Sequence, residues 1–131
     1  MDILVPVDGS DCSMRALDLG VDLAERYDAT VHVVHFTDYE DEGTADIQSR
    51  VEAAFEDVDV SMEWAVVKDP RLSNIKVSDR VGKDVLSYIE DHEVDHVVMG
   101  HHSGGLVESA ILGSAAKTVV ETTTIPVTVV P

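Results

Sequence analysis

Short apolar segments alternate with amphipathic segments along the whole chain. The apolar segments are 3–7, 30–36, 60–67, 96–99 and 125–130. Their length and their β-branched residues predict five strands, and apolar residues three or four positions apart between them predict four helices. Strands that alternate with helices predict an α/β fold, in which a doubly wound parallel sheet of five strands carries helices on both faces.

Local features refine this prediction. Ser10 is a suitable N-cap for the first helix. Residues 39–44 are polar and predict a loop, and residues 69–79, which begin with Asp-Pro, predict irregular structure. Glu63 interrupts the third strand, so this strand needs an edge position or a solvated face.

The size of the chain and its ends predict its general class. A length of 131 residues predicts a single domain, residues 1–131. The sequence has no run of about 18 apolar residues and does not start with a basic and then apolar leader, so we expect a soluble cytoplasmic protein. Cys12 is the only cysteine, which excludes a disulfide within the chain.

The charge balance is strongly acidic. The chain has 26 Asp and Glu against 9 Lys and Arg, for a net charge of −17. A negative field of this size argues against binding to nucleic acid or to an anionic membrane. Concentrated salt would screen the self-repulsion, so the composition favours a halophilic protein adapted to a salty cytoplasm. An ordinary acidic mesophilic protein is the alternative.

The stretch 97–116, VVMGHHSGGLVESAILGSAA, joins an apolar strand to a glycine-rich turn and to a helix start at Gly113 and Ser114. Glycine lets backbone approach a ligand closely, and a helix start offers unpaired N–H groups with positive partial charge. In a doubly wound sheet, ligands bind beyond the carboxyl ends of the strands, where the winding reverses. We therefore expect a nucleotide phosphate site here, with a tight turn that binds no ligand as the alternative.

Two further groups follow strands at this end of the predicted sheet. Asp8 follows the first strand, and its carboxylate could accept from a ligand hydroxyl or act as an outer ligand of Mg²⁺. The alternative for Asp8 is an acid that complements the dipole of the first helix. His101 and His102 follow the fourth strand and could lie near a phosphate, although adjacent histidines without spaced partners are a weak metal signal.

Positive charge is scarce around the glycine-rich stretch. No Lys or Arg lies between Gly100 and Lys117, and the stretch lacks the Gly-Lys-Ser/Thr ending of a P-loop. Backbone N–H groups and hydroxyls can hold phosphates, but phosphoryl transfer usually recruits Lys, Arg and a metal ion. We therefore expect a binding protein without catalytic residues, in which ATP hydrolysis is slow or absent.

Five of the nine basic residues lie in the segment after the third strand. They are Lys68, Arg71, Lys76, Arg80 and Lys83. One hypothesis is that this segment folds inward and supplies the cation that the glycine-rich stretch lacks. The alternative is that these bases offset neighbouring acidic residues.

Five segments carry a more specific signal in their order and spacing. They are VPVDGS at 5–10, VVHFTD at 33–38, DHVVMGHHSGG at 95–105, LGSAAKTVV at 112–120 and IPVTVV at 125–130. Over the whole length of the chain they resemble the universal stress protein family. The resemblance implies strand order 3-2-1-4-5 and a homodimer through the last strand, which begins at Ile125 and ends at Val130. Such a dimer would also cover the uncharged edge of that strand.

The family's ATP-binding signature is Gly, two residues, Gly, nine residues, and then Gly followed by Ser or Thr. Gly100 starts the match, and Gly113 with Ser114 ends it. Ser103 stands where the second Gly is expected, and Gly104 follows it.

The resemblance implies which residues contact the nucleotide. Asp8 would lie on the ribose or metal side, the backbone of Phe36 would meet the adenine, and the glycine-rich positions would surround the phosphates. The implied site residues are Pro6, Val7, Asp8, Phe36, Met99, Gly100, Ser103, Gly104, Gly113, Ser114 and Ala115.

The function implied by the resemblance is that of a cytoplasmic stress-response protein that binds ATP, with or without Mg²⁺. It would act as a nucleotide-dependent binding or signalling module. One alternative is a nucleotide-free family member that works only through protein–protein contacts, and a further alternative is a slow ATPase.

Overall fold

The computed structural model describes residues 1–73, 77–101 and 114–131. Strands and helices alternate along these residues as the apolar pattern predicts. In chain order they are β1 (Asp2–Pro6), α1 (Asp11–Tyr27), β2 (Thr30–Thr37), α2 (Glu42–Ala54), β3 (Ser61–Lys68), a short 3-10 helix (Pro70–Ser73), α3 (Val77–Asp91), β4 (His96–Gly100), α4 (Ser114–Thr122) and β5 (Val127–Val130).

The five strands form one parallel sheet in the order β3-β2-β1-β4-β5. This order confirms both the α/β fold class and the strand order that the resemblance implies. The chain moves outward from β1 through β2 to β3, and then continues on the other side of β1 with β4 and β5. The winding therefore reverses between β1 and β4, and the carboxyl ends of these two strands lie side by side.

Each face of the sheet has its own apolar core, because successive side chains of a strand point to opposite faces. Ile3 and Val5 of β1 pack in the cluster that α1 and α2 cover. Leu4, between them, packs with Val97 in the cluster that α3 and α4 cover. The segments read as nearly continuous apolar runs because both faces of the central strands are buried.

The second helix begins earlier than the sequence pattern predicts. The loop expected over residues 39–44 is wrong from Glu42 onward, because α2 starts there. The Asp41 carboxylate accepts from the backbone N of Thr44 at 3.1 Å, and the Thr44 hydroxyl accepts from the backbone N of Asp41 at 3.3 Å. This reciprocal capping box satisfies N–H groups that a helix start otherwise leaves unpaired. The region 69–79 is less irregular than expected, since it contains a 3-10 helix and the start of α3.

The strand that a polar residue interrupts lies at an edge of the sheet. Glu63 is exposed on β3, an edge strand, as the sequence requires, and its Oε2 lies 3.0 Å from Nδ1 of His32 on β2. β5 forms the opposite edge. Of the helices that the structure describes, none is both long enough and apolar enough to cross a membrane.

Candidate functional site

A cavity of about 200 Å³ lies at the carboxyl ends of β1, β2 and β4, where the winding reverses. This is the position at which doubly wound sheets bind their ligands. Most of its wall is apolar. The lining residues are Pro6, Val7, Asp8, Cys12, Ser13, Phe36, Val81, Met99, Gly100 and Ala115.

The structure brings together seven of the eleven site residues named from the sequence. Pro6, Val7, Asp8, Phe36, Met99, Gly100 and Ala115 line the cavity. Ser114 is the first residue of α4, next to Ala115, and does not line it. Ser103, Gly104 and Gly113 lie outside the described residues.

Three lining residues are not among those predicted from the sequence. Cys12 and Ser13 lie in the first turn of α1, directly after the N-cap Ser10. Their position just after the first strand was a usable signal, because that turn faces the crevice. Val81 comes from α3, and its apolar helical spacing indicates only burial, so no local signal marked it.

Asp8 holds the turn that leads from β1 into α1. Its Oδ1 accepts from the backbone N of Ser10 at 2.9 Å and from the Ser10 hydroxyl. Gly9, between them, has a φ of +83°, in the left-handed region that favours glycine. The exposed Asp8 carboxylate therefore has a structural role at a helix start, where the dipole also favours negative charge.

The hydroxyl of Ser13 is engaged in the same turn. Its Oγ donates to the carbonyl oxygen of Ser10 at 3.0 Å and accepts from the backbone N of Asp8 at 3.3 Å. The Ser10 Oγ in turn accepts from the backbone N of Ser13 at 3.3 Å, which confirms the predicted N-cap. These bonds fix the first turn of α1 against the end of β1, so this part of the wall is built before any ligand arrives.

Gly100 closes the cavity between β4 and α1. A Cβ at this position would lie 2.7 Å from the carbonyl carbon of Cys12 and 2.7 Å from the backbone N of Ser13. Side chains do not tolerate such distances to backbone, so the close approach of the strand end to the helix requires a glycine. The glycine-rich pattern predicts a close approach of phosphate at Gly100, and its packing against α1 gives a second reason for a glycine here.

The backbone of β1 is tied to β2 beside the cavity. The backbone N of Val7 donates to the carbonyl oxygen of Val34 at 2.9 Å. Nδ1 of the buried His35 lies 2.8 Å from the carbonyl oxygen of Val7, and since a carbonyl only accepts, the ring must donate from Nδ1. Phe36 follows on the same strand, and 8% of its surface is exposed. The parts of the cavity wall that Val7 and Phe36 form therefore have fixed positions.

Two of the five bases after β3, Arg71 and Arg80, pair with buried acids. Asp69 accepts from Nε of Arg71 at 2.8 Å and from Nε of Arg80 at 3.0 Å, and Arg80 Nη2 lies 3.2 Å from Asp84. We call these four residues, Asp69, Arg71, Arg80 and Asp84, the acid–base cluster. For Arg71 and Arg80 the structure favours the alternative that these bases offset acids. Lys76 lies outside the described residues.

The two carboxyl groups of the acid–base cluster have pKa values that are shifted in opposite directions. The hydrogen bond from Arg71 holds the pKa of Asp69 well below its usual range. Burial raises the pKa of Asp84, and a hydrogen bond with Asp69 acts in the same direction. The cluster adjoins the cavity, since the backbone N of Asp69 donates to Thr37, next to Phe36, and Arg80 precedes Val81.

The histidines after β4 do not form a described metal site. The backbone N of His101 donates to the carbonyl oxygen of Val130 at 2.7 Å, and His102 lies outside the described residues. Across the described ranges, no group of three or more His, Cys, Asp and Glu side chains could hold a metal ion.

Comparison with known proteins gives a consistent family and fold. The model of the universal stress protein family matches residues 1–131. Universal stress protein MJ0531 of Methanocaldococcus jannaschii is 26% identical over 141 residues, covering 98% of this chain and 80% of that protein. The structure of the Archaeoglobus fulgidus universal stress protein in complex with dAMP has a TM-score of 0.70 at 19% identity, and covers 100% of this chain and 98% of that one. A universal stress protein in complex with cAMP has a TM-score of 0.70 at 20% identity, with coverage of 99% and 95%.

Proposed function

This chain belongs to the universal stress protein family, and we propose that the cavity at the carboxyl ends of β1, β2 and β4 binds an adenine nucleotide, ATP included. The proposal rests on one observation: seven of the nucleotide-contacting residues that the resemblance implies line the same cavity. The complexes of relatives with dAMP and cAMP support the ligand class.

The walls suggest how the ligand would be held. Phe36, Val81 and Met99 offer an apolar surface for a purine base, and burying such a ring is favourable. The Asp8 carboxylate would accept from a ribose hydroxyl, since it lies at the rim of the same cavity. Phosphates would extend toward the start of α4 at Ser114, where helix N–H groups favour an anion.

We further propose that nucleotide binding regulates contacts with other proteins in the cytoplasm during a stress response. The chain would act as a binding or signalling module and, at most, as a slow ATPase, because no Lys or Arg lies between Gly100 and Lys117. A homodimer through β5 would cover the edge of the sheet that this strand forms.

A second candidate is a nucleotide-free member that works only through protein contacts. The observation that favours it is that three conspicuous site features have structural explanations. Asp8 holds a turn, the Ser13 hydroxyl bonds within that turn, and Gly100 permits close packing of β4 on α1. None of these arrangements needs a ligand.

One experiment separates the two candidates. The purified protein is heat-denatured, the released small molecules are identified by mass spectrometry, and ATP binding to ligand-free protein is measured by calorimetry. We expect a released adenine nucleotide and saturable binding. Absence of both would favour the nucleotide-free candidate.

A pair of matched variants locates the site. Val81→Phe adds a ring to the cavity wall, and Val120→Phe adds the same ring on the exposed face of α4, where Val120 is 43% exposed. Overfilling should weaken nucleotide binding by roughly tenfold or more in Val81→Phe, while Val120→Phe should bind as the unmodified protein does. Equal affinities in all three proteins would place the ligand elsewhere.

A further inference from the structure

We propose that His35 is a positioning residue for the nucleotide site, because its ring holds the peptide that joins Val7 to Asp8. The inference rests on the proposed function and adds a residue that acts through the backbone of the cavity wall. Val7 and Asp8 line the cavity, whereas His35 is not among the lining residues that the structure describes.

His35 is buried on β2, in the part of the strand that lies beside the cavity. Successive side chains of a strand point to opposite faces, so His35 shares the face of Val33, which packs in the cluster that α1 and α2 cover. Phe36, the next residue, points to the other face and lines the cavity. His35 therefore reaches the site through the backbone of β1 and not through a ligand contact of its own.

The imidazole of His35 is bonded to the carbonyl oxygen of Val7. Its Nδ1 donates to this oxygen at 2.8 Å. The strand β1 ends at Pro6, and the backbone N of Val7 donates to the carbonyl oxygen of Val34 at 2.9 Å. The Val7 carbonyl thus lies where the chain leaves the sheet. A buried carbonyl needs a donor, and here a side chain supplies it.

One peptide unit carries this constraint into the cavity wall. In a planar trans peptide the carbonyl and the N–H point in opposite directions. The bond between His35 and the Val7 carbonyl therefore directs the N–H of Asp8 away from His35, where Ser13 Oγ accepts it at 3.3 Å. Ser13 Oγ donates in turn to the carbonyl oxygen of Ser10 at 3.0 Å. Three hydrogen bonds thus run in series from His35 to the first turn of α1.

The expected consequence is a cavity wall that is ordered before the ligand arrives. Asp8 and Ser13 both line the cavity, and hydrogen bonds in series strengthen one another. A site that is already ordered avoids the cost of ordering it on binding. Without a donor at position 35 the buried Val7 carbonyl loses its partner, and the peptide is free to rotate. The ligand should then lose affinity although none of its own contacts has been removed.

Two substitutions at position 35 separate the donor from the bulk of the ring. His35→Leu keeps a buried apolar side chain but has no donor, whereas His35→Asn keeps an N–H group one bond from Cγ, as Nδ1 is. Calorimetric titration of ligand-free protein with AMP and ATP should show roughly fivefold weaker binding in His35→Leu. His35→Asn should bind within about twofold of the unmodified protein. An asparagine variant that binds as weakly as the leucine variant would contradict the role of the donor.

His32 provides a matched control on the same strand. It is also buried, and its Nε2 lies 2.9 Å from Oδ1 of Asp2. It precedes His35 by three residues, about 10 Å along β2 toward the end of the sheet opposite the cavity. His32→Leu should lower the urea midpoint, as His35→Leu does, but leave the nucleotide affinity unchanged. Equal losses of affinity in the two leucine variants would mean that any missing imidazole weakens the site, and the positioning role would be wrong.

Nitrogen NMR of the unmodified protein gives a second measurement that needs no variant. Saturating AMP should shift the backbone N–H resonance of Asp8 and the ring Nδ1 resonance of His35, since the peptide between Val7 and Asp8 connects the two groups. The ring resonances of His32 should stay unchanged. A His35 ring that does not respond while the Asp8 amide does would overturn the proposal, even where a leucine variant fails to fold.

Failure of this inference and failure of the proposed function give different results. If the unmodified protein binds neither AMP nor ATP, the proposed function fails and the inference fails with it. If the unmodified protein binds nucleotide and His35→Leu binds it equally well, nucleotide binding stands and the positioning role of His35 is wrong.

Discussion

Two neighbouring regions at the same end of the sheet use acidic residues in opposite ways. At the end of β1, Asp8 is exposed and bonds locally, within a turn that borders a cavity. Just after β3, Asp69 is buried and accepts from two guanidinium groups that come from different elements. Asp69 is paired across elements and holds the fold together, whereas Asp8 helps to form a turn beside a cavity.

The difference has a physical basis in desolvation. A buried carboxylate is tolerated only when cations and donors replace its water, so the region around Asp69 is filled by its partners. Asp8 stays in contact with solvent, and the space beside it is left as a cavity. The same sheet end therefore contains a structural region after β3 and a candidate binding region after β1 and β4.

The largest effect should come from removing the shared base of the acid–base cluster. Arg80→Met keeps much of the side-chain length but leaves Asp69 and Asp84 without the guanidinium between them. Breaking a buried ion pair by removing one partner typically costs about 3–5 kcal/mol of unfolding free energy. Urea denaturation should show this loss, and Arg26→Met, at an exposed position in the last turn of α1, should cost less than about 1 kcal/mol. Equal losses in the two variants would mean that the cluster has no special structural role.

A smaller loss of stability should come from a substitution in the cavity wall. Gly100→Ala introduces a Cβ at 2.7 Å from the backbone of Cys12 and Ser13, so β4 and α1 must move apart. We expect a loss of about 1–3 kcal/mol in unfolding free energy and weaker nucleotide binding. Urea denaturation and calorimetry measure the two effects. An alanine variant that keeps both the midpoint and the affinity would contradict the packing that we ascribe to this glycine.

The dependence of stability on salt should distinguish repulsion between exposed acids from the ion pairs of the acid–base cluster. With a net charge of −17, the melting temperature should rise by about 5 °C between 0.1 M and 2 M KCl, since screening weakens repulsion between exposed acids. The deficit of Arg80→Met should persist in 2 M KCl, because buried pairs are screened less. Thermal scans at both concentrations measure this. A melting temperature independent of salt would favour the ordinary acidic protein over the halophilic one.

The smallest effect should be a pH dependence inside the acid–base cluster. The raised pKa of Asp84 means that the folded state holds its proton above pH 3.8, where the unfolded chain has lost it, so this residue contributes less stability as the pH rises. The lowered pKa of Asp69 acts oppositely, with a contribution present above pH 3.8 and lost as the pH falls. Asp84→Asn should therefore gain stability relative to the unmodified protein as the pH rises from 4 to 7. A constant difference in urea midpoints over that range would show that Asp84 does not titrate in this way.

Much of the architecture was predictable because it depends on local patterns. Apolar runs specified the strands, helical spacing specified the helices, and Glu63 correctly required an edge or a solvated face for β3. The early start of α2 was also encoded locally, in the spacing of Asp41 and Thr44, although the polar composition of residues 39–44 predicted a loop there. The rule that ligands bind where the winding reverses, together with the resemblance, located most of the described cavity wall.

The sequence by itself determined the order of the elements, the acidic surface and the scarcity of bases between Gly100 and Lys117, since each follows from composition or short-range spacing. Only the tertiary structure decided that Val81 would complete the cavity and that Gly100 would lie against the first turn of α1. It also decided that Arg71 and Arg80 would pair with buried acids rather than with a ligand. The reason is that a sequence gives the number and type of groups, whereas pairing and packing between distant segments depend on distances that only the folded chain sets.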